Sequence, residues 1–218
     1  MIYGHARRRK RRLCQFKDGG VVHDDDQVTA LPSHTQSTYN SIKDIPIAGI
    51  HIAREPVSRF IQLLLNASLG SLTAVKDRYG IDELFHTFAI ITLSDGRRFR
   101  VDKNQNVAIK PYHRGKEEIM QINLQLTRNS GLTLKKLFNN AYSKLGSRFY
   151  HYSFDEDNCQ AFLSTLLSAS GLSTANTASF VKQPLDKMLD DLPGRVKDAA
   201  QLVTDTAAVL DKAAQLVS

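Results

Sequence analysis

The sequence contains no tryptophan and only two cysteines, Cys14 and Cys159, which lie far apart in the chain. Two cysteines cannot form the disulfide framework that stabilises many small secreted domains. A single Cys14–Cys159 bridge is compatible with this number, but so low a count is more typical of a protein from a reducing, intracellular compartment. We therefore expect free thiols and an intracellular location, with nuclear and virion-associated locations as narrower alternatives.

Long apolar runs are also missing, since no stretch approaches the ~20 residues that a membrane-spanning helix needs. The N-terminus lacks the apolar segment of a secretory signal. The sequence has no glycine-rich phosphate-binding loop and no Cys/His cluster with metal-ligand spacing, so we expect neither a cofactor nor a metal. With 218 residues, of which 42% are hydrophobic, the chain is long enough for one sizeable domain with extensions.

The net charge of +7 comes mainly from one short tract near the N-terminus. Six cations follow one another there: Arg7, Arg8, Arg9, Lys10, Arg11 and Arg12. Such a tract is typical of an arm that binds nucleic acid or an import receptor. A disordered, solvent-exposed run of charges without a binding partner has the same sequence pattern. We interpret residues 1–44 as a flexible basic arm, 45–172 as the domain with its core at 80–172, and 173–218 as a linker and amphipathic helical tail.

Inside the domain, the pattern predicts α+β structure with a helical N-terminal lead-in. Glu55-Pro56 resembles a helix start, and the apolar residues of 57–65 follow at spacings of three and four. A second short helix is predicted at 71–79. Further along, NVAIKPY predicts a strand, and residues 116–145 read as helical, most clearly in LTLKKLFNNAYSKL.

The clearest local prediction is a β-hairpin between HTFAIITL (86–93) and RRFRVDK (97–103). The intervening Ser94-Asp95-Gly96 suits a type I turn followed by a glycine bulge. In that register His86 lies opposite Asn104, and Asp102 lies diagonal to His86 on the same face. A two-residue loop would shift the register by one and turn Asp102 away.

Near the C-terminus, KDAAQLV and DKAAQLV are near-copies that begin fourteen residues apart, at 197 and 211. The apolar positions repeat at a spacing of seven residues between 196 and 217. An alanine-rich stripe with few cations favours self-association or a helix partner, through residues 195–217, over a lipid surface.

Cys159 stands at the beginning of an apolar helical pattern and follows Asn158, a favoured N-cap residue. At a helix N-terminus the dipole stabilises a thiolate, and first-turn N–H groups can bind an oxyanion. Because the acidic residues at 155–157 oppose ionisation, the thiol needs a histidine partner. His86 opens the predicted hairpin and is the best placed of seven histidines, with Asp102 as its orienting partner and Asn104 as the alternative.

These residues resemble circularly permuted papain-fold proteins, among them the NlpC-like hydrolases, the lecithin–retinol acyltransferase-like proteins and the PPPDE peptidases. The matching pieces are FHTFAIITLSDGRRFRVDKN (85–104) and FYHYSFDEDNCQAFLSTLLSASGL (149–172). The resemblance implies a small antiparallel sheet packed on a helix that bears the nucleophile. It also implies thioester chemistry on a peptide, amide or lipid acyl substrate, with Cys159 as nucleophile, His86 as general base and acid, and Asp102 as orienter.

Two functions remain open from the sequence. One is a cysteine hydrolase, such as a thiol protease, or an acyltransferase. The other is a non-catalytic papain-like scaffold in a nucleoprotein or virion assembly, in which the basic arm and the helical tail make the contacts. The basic tract and the repeat near the C-terminus favour the scaffold. The positions of Cys159 at a helix start and of His86 at a strand start favour the enzyme.

Overall fold

The computed structural model describes residues 25–56, 85–113, 120–124, 126, 130–153 and 156–182, and the backbone of two short strands before them. The basic tract, the repeat predicted to form a helical tail and the helices predicted within 57–79 lie outside these residues.

Seven strands and four α-helices make up the described residues. The strands are β1 (Cys14–Gln15), β2 (Val21–Val22), β3 (Ile47–Pro56), β4 (Phe85–Leu93), β5 (Arg98–Lys103), β6 (Val107–Pro111) and β7 (Met120–Leu124). The helices are α1 (Ser33–Ile42), α2 (Leu134–Leu145), α3 (Cys159–Ala169) and α4 (Ala175–Val181), with a 3-10 turn at Gly146–Phe149 after α2. The expected α+β class is confirmed.

Five of the strands form one antiparallel sheet in the order β6-β5-β4-β3-β7. The strand β4 lies at its centre and is nine residues long. Its central position explains its composition, because a strand with neighbours on both edges and packing on both faces is rich in apolar β-branched and aromatic residues.

The predicted hairpin and its register are confirmed. Leu93 N–H donates to the carbonyl of Arg97 at 2.9 Å, and Gly96 N–H donates to the carbonyl of Leu93 at 3.0 Å. Gly96 has φ +85°, the left-handed conformation that the last residue of this loop requires. Ala89 then pairs with Val101, so Asp102 shares a sheet face with His86.

The main core lies on the sheet face that α1, α2 and α3 cover. It contains alternate residues of the strands and the apolar faces of the helices, and its sheet side includes Ile50, Ile52, Ala89, Ile91, Phe99 and Val101. The opposite face carries a smaller apolar cluster of Ala53, Phe88 and Ile90, packed against Tyr112. His86, Arg100 and Asp102 belong to this second face because strand side chains alternate.

Strands β4 and β5 separate at the end that carries His86. Their pairing runs from Thr92–Arg98 to Ala89–Val101 and stops there. Beyond that point β4 pairs with β3 alone and β5 pairs with β6 alone, among the strands described. His86 and Thr87, which contact Cys159 at the start of α3, lie beyond the last residue of β4 that pairs with β5.

Three predictions of helix or loop are wrong. Glu55 and Pro56 end strand β3 and pair with His86 and Phe85, so Pro56 does not open a helix. Residues 120–124, predicted as helical, form β7 at the sheet edge, and among the described residues of that prediction the α-helix covers 134–145. The segment that follows residue 172, predicted to begin with a linker, contains helix α4, which a capping box at Thr174 begins.

The predicted flexible arm also contains structure, because its last part folds onto the core. Helix α1 buries Tyr39 and Ile42. Asp26, which precedes α1 in the chain, holds this helix in place. Its carboxylate accepts from Tyr39 Oη at 2.9 Å and from Lys43 Nζ at 2.6 Å. The ordered domain therefore begins before residue 45. None of the described helices is long and apolar enough to cross a bilayer.

Candidate active site

Helix α3 begins at Cys159, and Asn158 is its N-cap. The side-chain oxygen of Asn158 accepts from the N–H groups of Gln160 and Ala161, both at 3.0 Å. This cap occupies two of the first-turn donors that the sequence suggested for an oxyanion. The N–H of Cys159 is the first-turn donor that the Asn158 cap does not use.

Cys159 is 9% exposed, and its sulfur lies against the first residues of β4. The sulfur contacts the imidazole of His86 and the backbone N–H of Thr87, and both contacts lower the pKa of the thiol. The N–H of Thr87 reaches the sulfur because β5 has left β4 at this position. The helix that bears the thiol and the strand that bears the imidazole thus meet at one point.

Asp102 lies on the other side of the imidazole. Its Oδ2 atom is 3.4 Å from His86 Nε2, and the exposed fractions of the Asp102 and His86 side chains are 5% and 16%. This distance is at the long end for a hydrogen bond, as is common in active sites without substrate. The contact results from the hairpin register, which makes the two residues diagonal neighbours.

Arg100 holds Asp102 in place. Arg100 Nε donates to Asp102 Oδ2 at 2.7 Å, and Nη2 donates to Glu55 Oε1 at 2.6 Å. The guanidinium carbon lies 3.7 Å from the centroid of the Phe88 ring. Because Glu55 belongs to β3, this network joins three neighbouring strands and fixes the carboxylate that faces the imidazole.

The charges in this cluster shift the acidity of each member. Burial alone would lower the pKa of His86, but the charges of Cys159 and Asp102 and hydrogen bonds to both raise it to about 10. Burial alone would raise the pKa of Asp102, but His86 and Arg100 lower it to about 2. Burial likewise opposes ionisation of Cys159, yet His86 and the Thr87 N–H lower the pKa of the thiol. Near neutral pH the geometry therefore favours a thiolate–imidazolium pair.

The acidic residues before Cys159 oppose the thiolate less than the sequence suggested. Arg148 forms a bidentate pair with Asp157, with Nη2 2.8 Å from Oδ1 and Nε 3.1 Å from Oδ2. Arg148 Nη2 also lies 3.8 Å from Glu156. The guanidinium thus offsets the charge of Asp157, two residues before Cys159, whereas Asp155 lies outside the described residues.

Lys103 is a buried cation next to Asp102 in sequence, and it points to the opposite, helix-covered face. The residue is 1% exposed, and Nζ donates to the carbonyl of Arg148 at 2.8 Å. Burial lowers the pKa of Lys103 to about 8. The contact ties β5 to the segment that leads into α3.

The structure brings together three of the residues that the sequence selected: Cys159, His86 and Asp102. The alternative orienter Asn104 does not join them, since it is exposed beyond the end of β5 while Asp102 is buried. Arg7, Arg8, Arg9, Lys10, Arg11 and Arg12 lie outside the described residues.

Sequence reasoning missed the residues that support this cluster. The sequence could have identified Arg100, because residues two apart in a strand share a face and Arg100 stands two positions before Asp102. It could not have identified Glu55, because the sequence around Glu55 is typical of a helix start. The sequence also gave no indication of Thr87, because its contact with the sulfur depends on where β4 meets the start of α3.

No family model matches the chain, and no curated protein and no solved structure matches it either.

Proposed function

We propose that this protein is a cysteine hydrolase or acyltransferase that acts through a thioester on an amide, peptide or lipid ester. The observation that supports this most strongly is the buried contact of Cys159 with His86, which in turn contacts Asp102. A structural cysteine needs neither an imidazole nor a backbone donor at its sulfur. A nucleophilic cysteine needs such partners to exist as a thiolate.

The proposed reaction begins when the Cys159 thiolate attacks the substrate carbonyl carbon and forms a carbon–sulfur bond. The carbonyl electron pair moves to oxygen, which the Cys159 N–H at the start of α3 is placed to stabilise. The tetrahedral intermediate then collapses, and the bond to the leaving amine or alcohol breaks. His86 gives its proton to that leaving group, which leaves a thioester on Cys159.

Water or another acceptor nucleophile completes the cycle. Neutral His86 takes a proton from the acceptor as it attacks the thioester carbonyl. The carbon–sulfur bond breaks and restores the thiolate beside an imidazolium. Asp102 keeps the ring oriented and stabilises its positive charge in both steps, while Arg100 and Glu55 prevent the carboxylate from rotating away.

The test is acyl-enzyme formation from p-nitrophenyl acetate in a Cys14→Ser background, which leaves Cys159 as the sole thiol. We expect intact mass to show one acetyl group on Cys159, with release of p-nitrophenol continuing after the first turnover. Cys159→Ala should abolish both signals, and His86→Phe should slow acylation. If His86→Phe were acylated and turned over at the rate of the Cys14→Ser protein, the assignment of His86 would be wrong.

A further inference from the structure

Arg54 lies beside the proposed nucleophile on the helix-covered face of the sheet. It is the cross-strand partner of Thr87, whose backbone N–H contacts the Cys159 sulfur. Directly paired residues in an antiparallel sheet project to the same face, with Cβ atoms about 5 Å apart. The Arg54 side chain therefore leaves the sheet next to the place where a substrate carbonyl must lie.

Two aromatic rings hold the guanidinium of Arg54 in a fixed plane. Its central carbon lies 4.7 Å from the centroid of Phe85 and 4.6 Å from that of Phe180. These contacts restrict the orientation of the guanidinium without neutralising its charge, because the faces of aromatic rings attract cations only weakly. The side chain is thus held in place in advance rather than free to move in solvent.

No carboxylate of the described residues pairs with Arg54. Its Nη2 atom contacts the sulfur of Met120 at 3.6 Å, and sulfur is a weak acceptor. The Nε atom is buried and has no hydrogen-bond partner among the described residues. A buried donor of a charged group without a partner costs free energy, and an acceptor supplied by a ligand would offset that cost.

Thr87 carries a second unpaired donor at the same place. Thr87 is 1% exposed, and its Oγ1 atom contacts the Cys159 sulfur and lowers the pKa of the thiol, although by distance and angle Oγ1 has no hydrogen-bond partner among the described residues. Arg54 and Thr87 supply two of the three buried side-chain polar atoms that lack a partner in the described residues. Both belong to one cross-strand pair, and that pair adjoins the nucleophile.

We propose that Arg54 and Thr87 form a subsite for an acidic group, a carboxylate or a phosphate, carried by the substrate of Cys159. Arg54 binds the anion in its guanidinium plane, and the Thr87 hydroxyl donates to the same group. This inference rests on the proposed function and narrows it to acyl substrates that bear a negative charge near the reacting carbonyl. An acidic peptide and a phospholipid head group share that chemistry.

The experiment compares two alkylating reagents that differ in charge, again in the Cys14→Ser background. Iodoacetate carries a carboxylate, whereas iodoacetamide is neutral and of nearly the same size. We expect Arg54→Met to lower the ratio of the iodoacetate rate to the iodoacetamide rate about tenfold, the effect of losing a charge-assisted hydrogen bond. Arg97→Met removes the same charge at the far end of the hairpin and should leave the ratio unchanged. Equal ratios in the two variants would overturn the proposal.

Thr87→Val provides a second variant in case Arg54→Met does not fold. Valine has the shape of threonine without the hydroxyl, so the substitution removes an unpaired buried donor. We expect a lower iodoacetate-to-iodoacetamide ratio together with an unchanged or higher melting temperature. A lower melting temperature would show that the hydroxyl has a structural partner and would contradict the proposal.

Inorganic phosphate and acetate distinguish the two sources of the acidic group. Each is added in turn during alkylation by iodoacetamide, with salt held constant. Stronger protection of Cys159 by phosphate would assign a phosphate-bearing substrate, and stronger protection by acetate would assign a carboxylate. Protection by neither anion overturns the subsite. Failure of Cys159 to react with iodoacetamide at all, by contrast, would refute the proposed function itself.

Discussion

His86 Nε2 and Asp102 Oδ2 lie 3.4 Å apart, on neighbouring strands that no longer pair where the two side chains meet. The carboxylate stays ionised down to about pH 2, because His86 and Arg100 lower its pKa. It therefore carries a full charge at every pH at which the protein is expected to work.

Asp102→Asn should slow the alkylation of Cys159 by iodoacetamide at pH 7 by about tenfold, which corresponds to roughly one pKa unit. Without the negative charge, the pKa of His86 falls and the imidazolium no longer stabilises the thiolate as well. Asp95→Asn is the matched control, since it removes a carboxylate in the exposed turn of the same hairpin. Equal loss of rate in both variants would show a general effect on folding or charge.

The pH profile of alkylation should report the thiolate–imidazolium pair. In the Cys14→Ser protein we expect the rise in rate to have its midpoint below the ordinary thiol pKa of ~8.5. The sign comes from the lowered pKa of Cys159: the thiolate persists as the pH falls below the usual range.

In His86→Phe the same midpoint should move above that of the wild type, because burial then acts without a compensating cation. Circular dichroism at each pH verifies that the variant remains folded. A midpoint shared by both proteins would mean that His86 does not stabilise the thiolate.

Lys103 gives a prediction about stability. Its pKa is about 8 in the folded protein against 10.5 in the reference state. Between these values the unfolded chain binds more protons, so raising the pH favours the folded state. We expect the free energy of unfolding of the wild type to rise relative to Lys103→Met between about pH 8 and pH 10.5.

Urea denaturation at pH 7.5 and pH 10, chosen as roughly the two ends of that window, measures this difference. Lys144→Met serves as the control, because Lys144 is an exposed lysine at the end of α2. A pH-independent difference between wild type and Lys103→Met would indicate that Lys103 keeps an ordinary pKa.

Two substitutions of Asn158 distinguish its effect on helix stability from its effect on the reactivity of the Cys159 thiol. Asn158→Ala should lower the free energy of unfolding by about 1 kcal/mol, since two N–H groups lose their acceptor. Asn158→Asp retains the acceptor and should keep that stability, but the added negative charge beside the sulfur should raise the pKa of Cys159 and slow alkylation. Thermal melts and alkylation rates of the two variants test both statements. If Asn158→Asp were alkylated as fast as the wild type, charge next to the sulfur would not control its reactivity.

The sequence predicts the hairpin and the start of α3 because both depend on local chemistry. Gly96 determines the loop type and thus the strand register, and Asn158 determines where the helix begins. The predicted proximity of His86 and Asp102 depended on that register alone.

Strand β3 was not predictable in the same way. Its partners are β4 and β7, which lie far along the chain, and Glu55-Pro56 favours a helix start locally. Tertiary pairing overrides that preference. The Arg100–Glu55 contact and the Arg54–Thr87 pair depend on β3 and so could not be anticipated.

Helix α1 was missed for a related reason. Its stability comes from the burial of Tyr39 and Ile42 against the core and not from its Ser/Thr-rich sequence. A helix of this kind forms only when the surface that covers its apolar side chains is already present.

Asp102 and Lys103 are consecutive residues that face opposite sides of β5. One contacts the imidazole, and the other holds the Arg148 carbonyl, while the Arg148 side chain binds Asp157 just ahead of the thiol. The Asp102–Lys103 peptide unit therefore holds both His86 and the segment that leads to Cys159. When β5 moves, the imidazole and the sulfur should move with it, so the distance between them should vary less than the position of either.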